Sequence, residues 1–242
     1  MNLFLPAPLG EVMQGNYLPF GIASLDRLLG GGIENGSLTE FYGEGGTGKS
    51  NLCLLLACRV VRQGQWVVYL DTEGLSMDRL SQVAGGQGTT LSQVVRRLLL
   101  NTPKTLEEQE RVVERTSSLM LEREGKIGLV IVDSPTLLYR LALGQEDEET
   151  ARQSLSTQVA TLLHAAIETS IPVVITNQVW RDIHSATFEP IGGSFLSHIA
   201  KTIVRLERLQ SGWRRATLMK HRSLPEGGTA DYRISPWGIQ SG

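Results

Sequence analysis

The clearest chemistry in the chain lies in eight consecutive residues, Gly43-Glu44-Gly45-Gly46-Thr47-Gly48-Lys49-Ser50. They fit the phosphate-binding pattern G-x-x-x-x-G-K-[ST] in full. The glycines let the backbone curl so that successive N–H groups converge on phosphate oxygens. Lys49 brings a mobile positive charge to the β- and γ-phosphates, and the Ser50 hydroxyl can ligate Mg²⁺. The expected ligand is a nucleoside triphosphate. Gly43, Gly45 and Gly48 also spell G-x-G-x-x-G, the dinucleotide fingerprint, with Asp71 or Glu73 downstream for a ribose. That shorter pattern does not require Lys49-Ser50 and is the weaker reading.

Further polar residues stand where apolar runs end. Trp66-Val67-Val68-Tyr69-Leu70 ends at Asp71-Thr72-Glu73, Leu129-Val130-Ile131-Val132 at Asp133-Ser134, and Pro172-Val173-Val174-Ile175 at Thr176-Asn177-Gln178. Asp133 can hold the Mg²⁺ that bridges the outer phosphates. Glu73 is the first candidate for the base that polarises an attacking water, and Asp71 is the alternative. The Gln178 amide can sense the γ-phosphate and move the segment after it, Val179 to Pro190, which carries Arg181 and His184. Lys220 and Arg222 alternate at a strand end, so both charges can share a face. A neighbour's phosphate and bulk solvent are equally open as their target.

The elements that must position these groups can be read from periodicity. Ser37 to Tyr42 reads as the strand before the loop. Asn51 to Gln63 reads as the helix after it, with Leu52, Leu55, Leu56 and Val60 at helical spacing and a stop at Gly64. Short, nearly continuous β-branched runs read as parallel strands buried on both faces, with ligands beyond their carboxyl ends. Helices are expected over Phe20 to Leu29, Leu91 to Leu100, Leu106 to Arg123 and Thr150 to Thr169. In the third of these Val112, Val113, Leu119 and Leu121 form the apolar part. In the last, Leu155, Val159, Leu162, Leu163, Ala166 and Ile167 do so. After about Lys201 no helix intervenes. Ile203 to Leu209, Arg214 to Lys220 and Ala230 to Ser235 read as three antiparallel strands. Met1 to Leu18 reads as an arm, and 19–242 as one domain.

The chain has 242 residues, 41% hydrophobic and 20% charged, the profile of an ordinary globular protein. A net charge of −2 gives no global attraction to nucleic acid, so DNA binding needs a local patch. Cys53 and Cys58 lack C-x-x-C spacing and read as core residues in a reducing compartment. His164, His184, His198 and His221 form no ligand cluster in sequence. No basic segment leads an apolar stretch at the N-terminus, and no apolar run approaches the ~20 residues of a membrane span. A cytoplasmic protein with no membrane partner is expected.

Five segments together resemble the ATPase core of RecA/RadA-type recombinases. "FGIASLDRLLGGGIENGSLTEFYGE" opens it, followed in order by "VVYLDTEGLSMDRL", "LVIVDSPTLLYR", "IPVVITNQV" and "PIGGSFLSHIAKT". "KHRSLPEGGTADYRI" and the core-only length are similar to the RadB-type archaeal paralogues of that family. The resemblance implies an α/β RecA-type P-loop NTPase core, a mostly parallel sheet flanked by helices in strand order 5-1-4-3-2, with a C-terminal antiparallel extension. It implies ATP and Mg²⁺ as ligands, single-stranded DNA binding and a place in homologous recombination. An accessory role toward the main recombinase and Holliday-junction processing proteins is also implied, with feeble ATP hydrolysis.

Carried over residue by residue, the resemblance makes Glu73 the catalytic glutamate, Asp133 the metal-side aspartate and Gln178 the sensor that opens the second DNA loop. His198 becomes a γ-phosphate sensor across a subunit interface, and Arg79 lies near the adenine. Lys220 and Arg222 would reach a neighbour's ATP. Asn51, directly after the phosphate loop, joins the nucleotide contacts. The first DNA loop, Leu141 to Glu149, departs from the family by carrying Glu146-Asp147-Glu148-Glu149, and acids repel phosphates. DNA contacts are therefore expected on the second loop, through Arg181, His184 and Phe188. Phe4-Leu5-Pro6-Ala7 has the F-x-x-A form by which recombinases dock onto the next subunit, so a homo-oligomer is a further expectation. A KaiC-like ATPase or kinase, which shares the opening and the phosphate loop, is the rival enzyme. A non-hydrolysing ATP-binding regulator is the rival binding module.

Overall fold

A computed structural model describes residues 16–123, 125–143, 148–181, 188–191 and 193–241. The chain enters through β1 (Tyr17–Leu18), crosses the short helix α1 (Ala23–Leu28) and returns as β2 (Ile33–Glu34), which pairs antiparallel with β1. Leu18 is already buried, so packed structure starts inside the segment read as an arm. The F-x-x-A segment, Phe4 to Ala7, lies outside the described residues.

Next comes β3 (Leu38–Tyr42), then the phosphate loop and α2 (Lys49–Arg62). Three further parallel strands and their helices follow: β4 (Trp66–Asp71), α3 (Met77–Gly86), α4 (Leu91–Val95), β5 (Leu98–Asn101), α5 (Leu106–Glu122) and β6 (Ile127–Asp133). After α6 (Thr136–Ala142) and α7 (Glu148–Thr169) the chain forms β7 (Val173–Asn177). A small hairpin, β8 (Val179–Arg181) with β9 (Phe188–Pro190), precedes α8 (Gly193–Ile199). The chain closes with β10 (Thr202–Arg208), β11 (Trp213–Lys220), β12 (Thr229–Ser235) and β13 (Gly238–Ser241).

Nine strands form one sheet in the order β13-β12-β11-β10-β3-β7-β6-β4-β5. The five core strands β10, β3, β7, β6 and β4 have the expected order 5-1-4-3-2. All pairings from β10 to β5 are parallel, and β10 to β13 are joined antiparallel. Strand side chains alternate between two cores, as the period of two demands. Phe41, Val67, Tyr69, Leu129, Ile131 and Val174 pack under α1 to α4. Leu38, Val68, Val130, Val132, Val173 and Ile175 pack under α5 to α8.

Three expectations need correction. The helix expected over Leu91 to Leu100 ends at Val95, and Leu98–Asn101 is instead a strand. Leucine favours helix, but the open edge of β4 offers a full parallel ladder, and tertiary pairing overrides the local preference. Leu121 and Ile167 are 50% and 56% exposed rather than core. Each sits one residue past a buried position, Met120 and Ala166, which already fill the helix's inner stripe. The antiparallel extension also has a fourth strand, β13, which its short polar sequence did not announce.

Candidate nucleotide site

The site grows from the carboxyl ends of four parallel strands. β3 delivers the phosphate loop, β4 delivers Asp71 and Glu73, β6 delivers Asp133, and β7 delivers Asn177 and Gln178. Gly43, Gly46 and Gly48 have φ of 156°, 75° and 104°. This left-handed backbone favours glycine, and it produces the loop's curl. Lys49 is buried and bridges the loop, its Nζ donating to the carbonyls of Gly43 at 2.7 Å and Glu44 at 3.1 Å. Burial lowers the Lys49 pKa, while Glu73 and Asp133 pull it back up.

Asp133 is buried with both carboxylate oxygens engaged. Tyr69 Oη donates to Oδ2 at 2.8 Å, and Thr176 Oγ1 donates to Oδ1. Tyr69, Asp133 and Thr176 lie on adjacent strands and share the α2 face. Asp133 was singled out in the sequence; the parts of Tyr69 and Thr176 were missed, and counting strand residues in twos finds them. Thr72 ties the same corner together, donating to the Ser134 carbonyl at 2.7 Å and accepting from the Ser134 N–H at 3.0 Å.

Asp71 and Glu73 differ sharply. The Asp71 carboxylate accepts from the N–H groups of Glu73, Gly74 and Leu75 at 3.2, 2.9 and 2.6 Å. It is committed to shaping the turn. Glu73 stands free of the backbone at the open rim. Its Oε1 accepts from Gln178 Nε2 at 2.9 Å. Desolvation by the surrounding protein and the charge of Asp133 raise the Glu73 pKa, offset in part by Gln178, Lys49 and Ser134. Gln178 in turn accepts from Arg140 of α6 through Oε1, at 3.5 Å.

A cleft lined by Ser50, Asn51, Asp71, Glu73, Arg79 and Asp133 opens beside the loop. Arg79 Nε donates to Asn51 Oδ1 at 2.6 Å, and its Nη1 to Gln82 Oε1 and the Ser235 carbonyl at 2.8 and 2.9 Å. Arg79 thus joins the phosphate-loop helix to the C-terminal strands at one wall of the cleft.

Other candidates stand elsewhere. His198 is exposed on α8, and its carbonyl, with that of Ser197, accepts from Lys220 Nζ at 3.4 and 2.7 Å. Arg222 lies beyond the end of β11, and its Nε is 3.1 Å from Glu34 Oε2. The shared face expected of Lys220 and Arg222 is therefore absent within the chain, because the strand ends between them and each finds its own partner. Arg181 and Phe188 are cross-strand partners in the β8–β9 hairpin. His184, Glu146 and Asp147 lie outside the described residues. Cys53 and Cys58 are both buried free thiols, and burial pushes Cys58 up to about 12. Among the described residues no helix is long and apolar enough to cross a membrane.

The model of the Rad51 family matches residues 16–241. The chain belongs to the Rad51 family. Similar relatives within it are named DNA repair and recombination protein RadB. That of Methanococcoides burtonii is 44% identical over 217 residues, spanning 89% of this chain and 94% of the relative. That of Methanoculleus marisnigri is 40% identical over 231 residues, spanning 95% and 100%. A crystal structure of the RadB recombinase superposes with a TM-score of 0.78 at 36% identity, covering 93% of this Rad51-family chain and 99% of that one. The match over nearly the full length accords with the RecA-type core and the recombination-family membership expected above.

Proposed function

We propose that this chain is an ATP- and DNA-binding accessory protein of homologous recombination and DNA repair that hydrolyses ATP weakly. The observation that carries the reading is that Lys49, Asp133, Glu73 and Gln178 are delivered from four strand ends to the same edge of the sheet, where Asp133 and Glu73 line a cleft beside the loop and Gln178 holds Glu73. Residues Gly43 to Ser50 and Asn51 would bind ATP, with Arg79 at the base side of the cleft. The donor set fits Mg²⁺, a hard cation that prefers oxygen, through the Ser50 hydroxyl and the carboxylate of Asp133. When bound, Mg²⁺ neutralises charge on the β- and γ-phosphates.

The chain's own groups then have distinct tasks. Lys49 exchanges two carbonyls for phosphate oxygens. Tyr69 and Thr176 orient Asp133. Glu73 accepts a proton from the attacking water, and Gln178 holds that carboxylate in place. Asp71, occupied by three N–H groups, shapes the turn instead. Gln178 also starts the second loop, so a change at the phosphate side reaches Arg181, His184 and Phe188, the proposed single-stranded DNA contacts. Lys220, Arg222 and His198 would act toward a neighbour's ATP only in an assembly, and Lys220 and Arg222 would first have to leave their present partners.

The accessory role rests on two features. The acids Glu148 and Glu149 open α7 at the edge of the first loop, and the relatives are RadB proteins. The proposed partners are the main archaeal-type recombinase and Holliday-junction processing proteins. ATP hydrolysis measured alone, with single-stranded DNA, and with the main recombinase tests the reading. Turnover that is slow alone and altered by either addition supports it. Absence of ATP binding overturns it.

A further inference from the structure

The antiparallel extension stands behind the phosphate loop as a wall. Beyond the last β10–β3 pair, Arg205 with Tyr42, the chain runs on so closely that a Cβ on Gly43 would lie 2.3 Å from the Leu206 carbonyl oxygen. A Cβ on Gly48 would lie 2.7 Å from Ile234 Cδ1 of β12. Gly43 is thus required by the wall's backbone as well as by the curl, whereas at Gly48 the Ile234 side-chain tip could yield and the positive φ is what favours glycine.

Two polar side chains of the wall hold loop carbonyls. Arg214 Nε donates to the Gly46 carbonyl at 3.1 Å, and Tyr232 Oη donates to the Thr47 carbonyl at 3.4 Å. A trans peptide is planar, so each carbonyl points opposite to the N–H that follows it. Drawing the carbonyls of Gly46 and Thr47 toward the wall turns the N–H groups of Thr47 and Gly48 away from it. The Gly48 N–H is a donor that a phosphate loop presents to its ligand, and the Thr47 N–H, held by a long 3.4 Å bond to the Glu44 carbonyl, can be turned toward it.

Arg208 stands directly opposite Arg214 in the β10–β11 ladder. Its Nη1 lies 3.7 Å from where a Cβ on Gly46 would be. Like charges directly opposite destabilise a sheet. The next arginines along the same strands are neutralised, Arg215 by Asp231 at 2.8 Å and Arg205 by Glu207 at 3.2 Å. Arg208 and Arg214 have no carboxylate partner among the described residues. An uncompensated pair of cations beside a loop built for phosphates is accounted for if the phosphates supply the missing negative charge.

We propose that Arg214 and Tyr232 are positioning residues of the nucleotide site, and that Arg208 and Arg214 together lend it positive field from the chain's own C-terminal strands. The inference rests on ATP being the ligand of the loop. It goes further in making the antiparallel extension part of nucleotide recognition.

The test compares the full-length parent with Arg214→Gln, Arg214→Lys, Arg208→Gln, Tyr232→Phe and Lys49→Ala. Affinities for ATP, ADP and adenosine are measured by competition against a fluorescent ATP analogue, with thermal melts to check folding. Arg214→Gln and Tyr232→Phe are expected to weaken ATP and ADP by about three- to tenfold, the effect of one hydrogen bond, and to leave adenosine unchanged. Arg208→Gln should weaken ATP more than ADP and flatten the salt dependence. Arg214→Lys should recover part of the loss, and it serves alone if Tyr232→Phe does not fold. If Lys49→Ala loses ATP while the wall variants bind it like the parent, the inference is wrong and the nucleotide reading stands. Equal losses for adenosine also overturn it, since the wall would then be scaffold for the whole site. A parent that binds no ATP removes the nucleotide reading and this inference together.

Discussion

Gln178 Nε2 donates to Glu73 Oε1 at 2.9 Å, joining residues 105 positions apart in the chain. Their strands, β7 and β4, are separated in the sheet by β6, which ends at Asp133. The contact therefore bridges across the strand that ends at Asp133, the carboxylate proposed above for Mg²⁺. On its far side the Gln178 amide accepts from Arg140, the last turn of the helix that leads to the first loop. The segments leading to both loops meet at the Gln178 amide. Coupling between nucleotide and DNA would require this contact to have a second position.

Glu73→Gln should therefore lower hydrolysis by about a hundredfold or more, the usual worth of a general base, with ATP affinity close to the parent's. The amide keeps the shape and cannot take the proton. The parent's rate should rise with pH through a titration above the ordinary glutamate value, since Glu73 must lose its proton and its pKa is raised. The variant should lack that limb. Parental turnover in Glu73→Gln would remove Glu73 from the role. Asp71→Asn should act on stability instead, costing about 1–3 kcal/mol in a thermal or denaturant melt, because three N–H groups lose their charged acceptor.

Lys49→Ala should abolish ATP binding or weaken it severely, as read by isothermal titration. Lys49 is the only side-chain cation of the phosphate loop. Its two carbonyl bonds show that the ammonium already points across the loop mouth. Unchanged nucleotide affinity would sink the phosphate-loop assignment.

Glu40 gives a prediction on stability. It is buried on β3, accepts from Asn177 Nδ2 at 2.8 Å, and leaves Oε2 without a partner. Desolvation raises its pKa, opposed by the Asn177 bond and the charge of Lys220. A raised folded-state pKa means the folded chain holds this proton more tightly. That stabilisation is full below the unfolded value, near 4.5, and is lost as pH rises through the raised value. Glu40→Gln removes the charge, so it should melt higher than the parent at pH 8, with the advantage shrinking toward pH 4.5. An advantage equal at both ends of that range would rule the mechanism out.

The sheet was legible because buried parallel strands read as short β-branched runs, and here those runs lead into Asp71, Asp133 and Gln178 at the end where ligands bind. Leu98–Asn101 was not legible, because three leucines and an asparagine acquire strand character only from the free edge of β4. The roles of Tyr69 and Thr176 were hidden for a different reason. Tyr69 belongs to an apolar run and Thr176 stands at the end of one, and the meaning of each comes from which neighbour strand lies beside it. Lys220 and Arg222 were read by spacing, and spacing does not reveal that β11 stops at Lys220 or that Glu34, from the other end of the chain, waits for Arg222.

DNA binding should reside in the second loop. Arg181 and Phe188 are paired in the backbone register of the β8–β9 hairpin. Non-specific single-strand binding combines counterion release with base stacking, and few cations give a modest, salt-sensitive affinity. The first loop is the poorer surface. Glu148 and Glu149 sit in the first turn of α7, and Glu148 is 2.9 Å from Arg152 at an exposed site. That pair contributes little to stability, whereas acids at a helix N-terminus contribute about 0.3–1 kcal/mol each. Glu148→Lys with Glu149→Lys should therefore strengthen DNA binding at a small, measurable cost in melting temperature. Arg181→Ala should weaken binding and flatten its salt dependence. A salt titration of fluorescent oligonucleotide binding for the three proteins decides the matter. If Arg181→Ala matches the parent at every salt concentration, the second loop is not the contact, and the role in recombination runs through protein partners rather than through DNA.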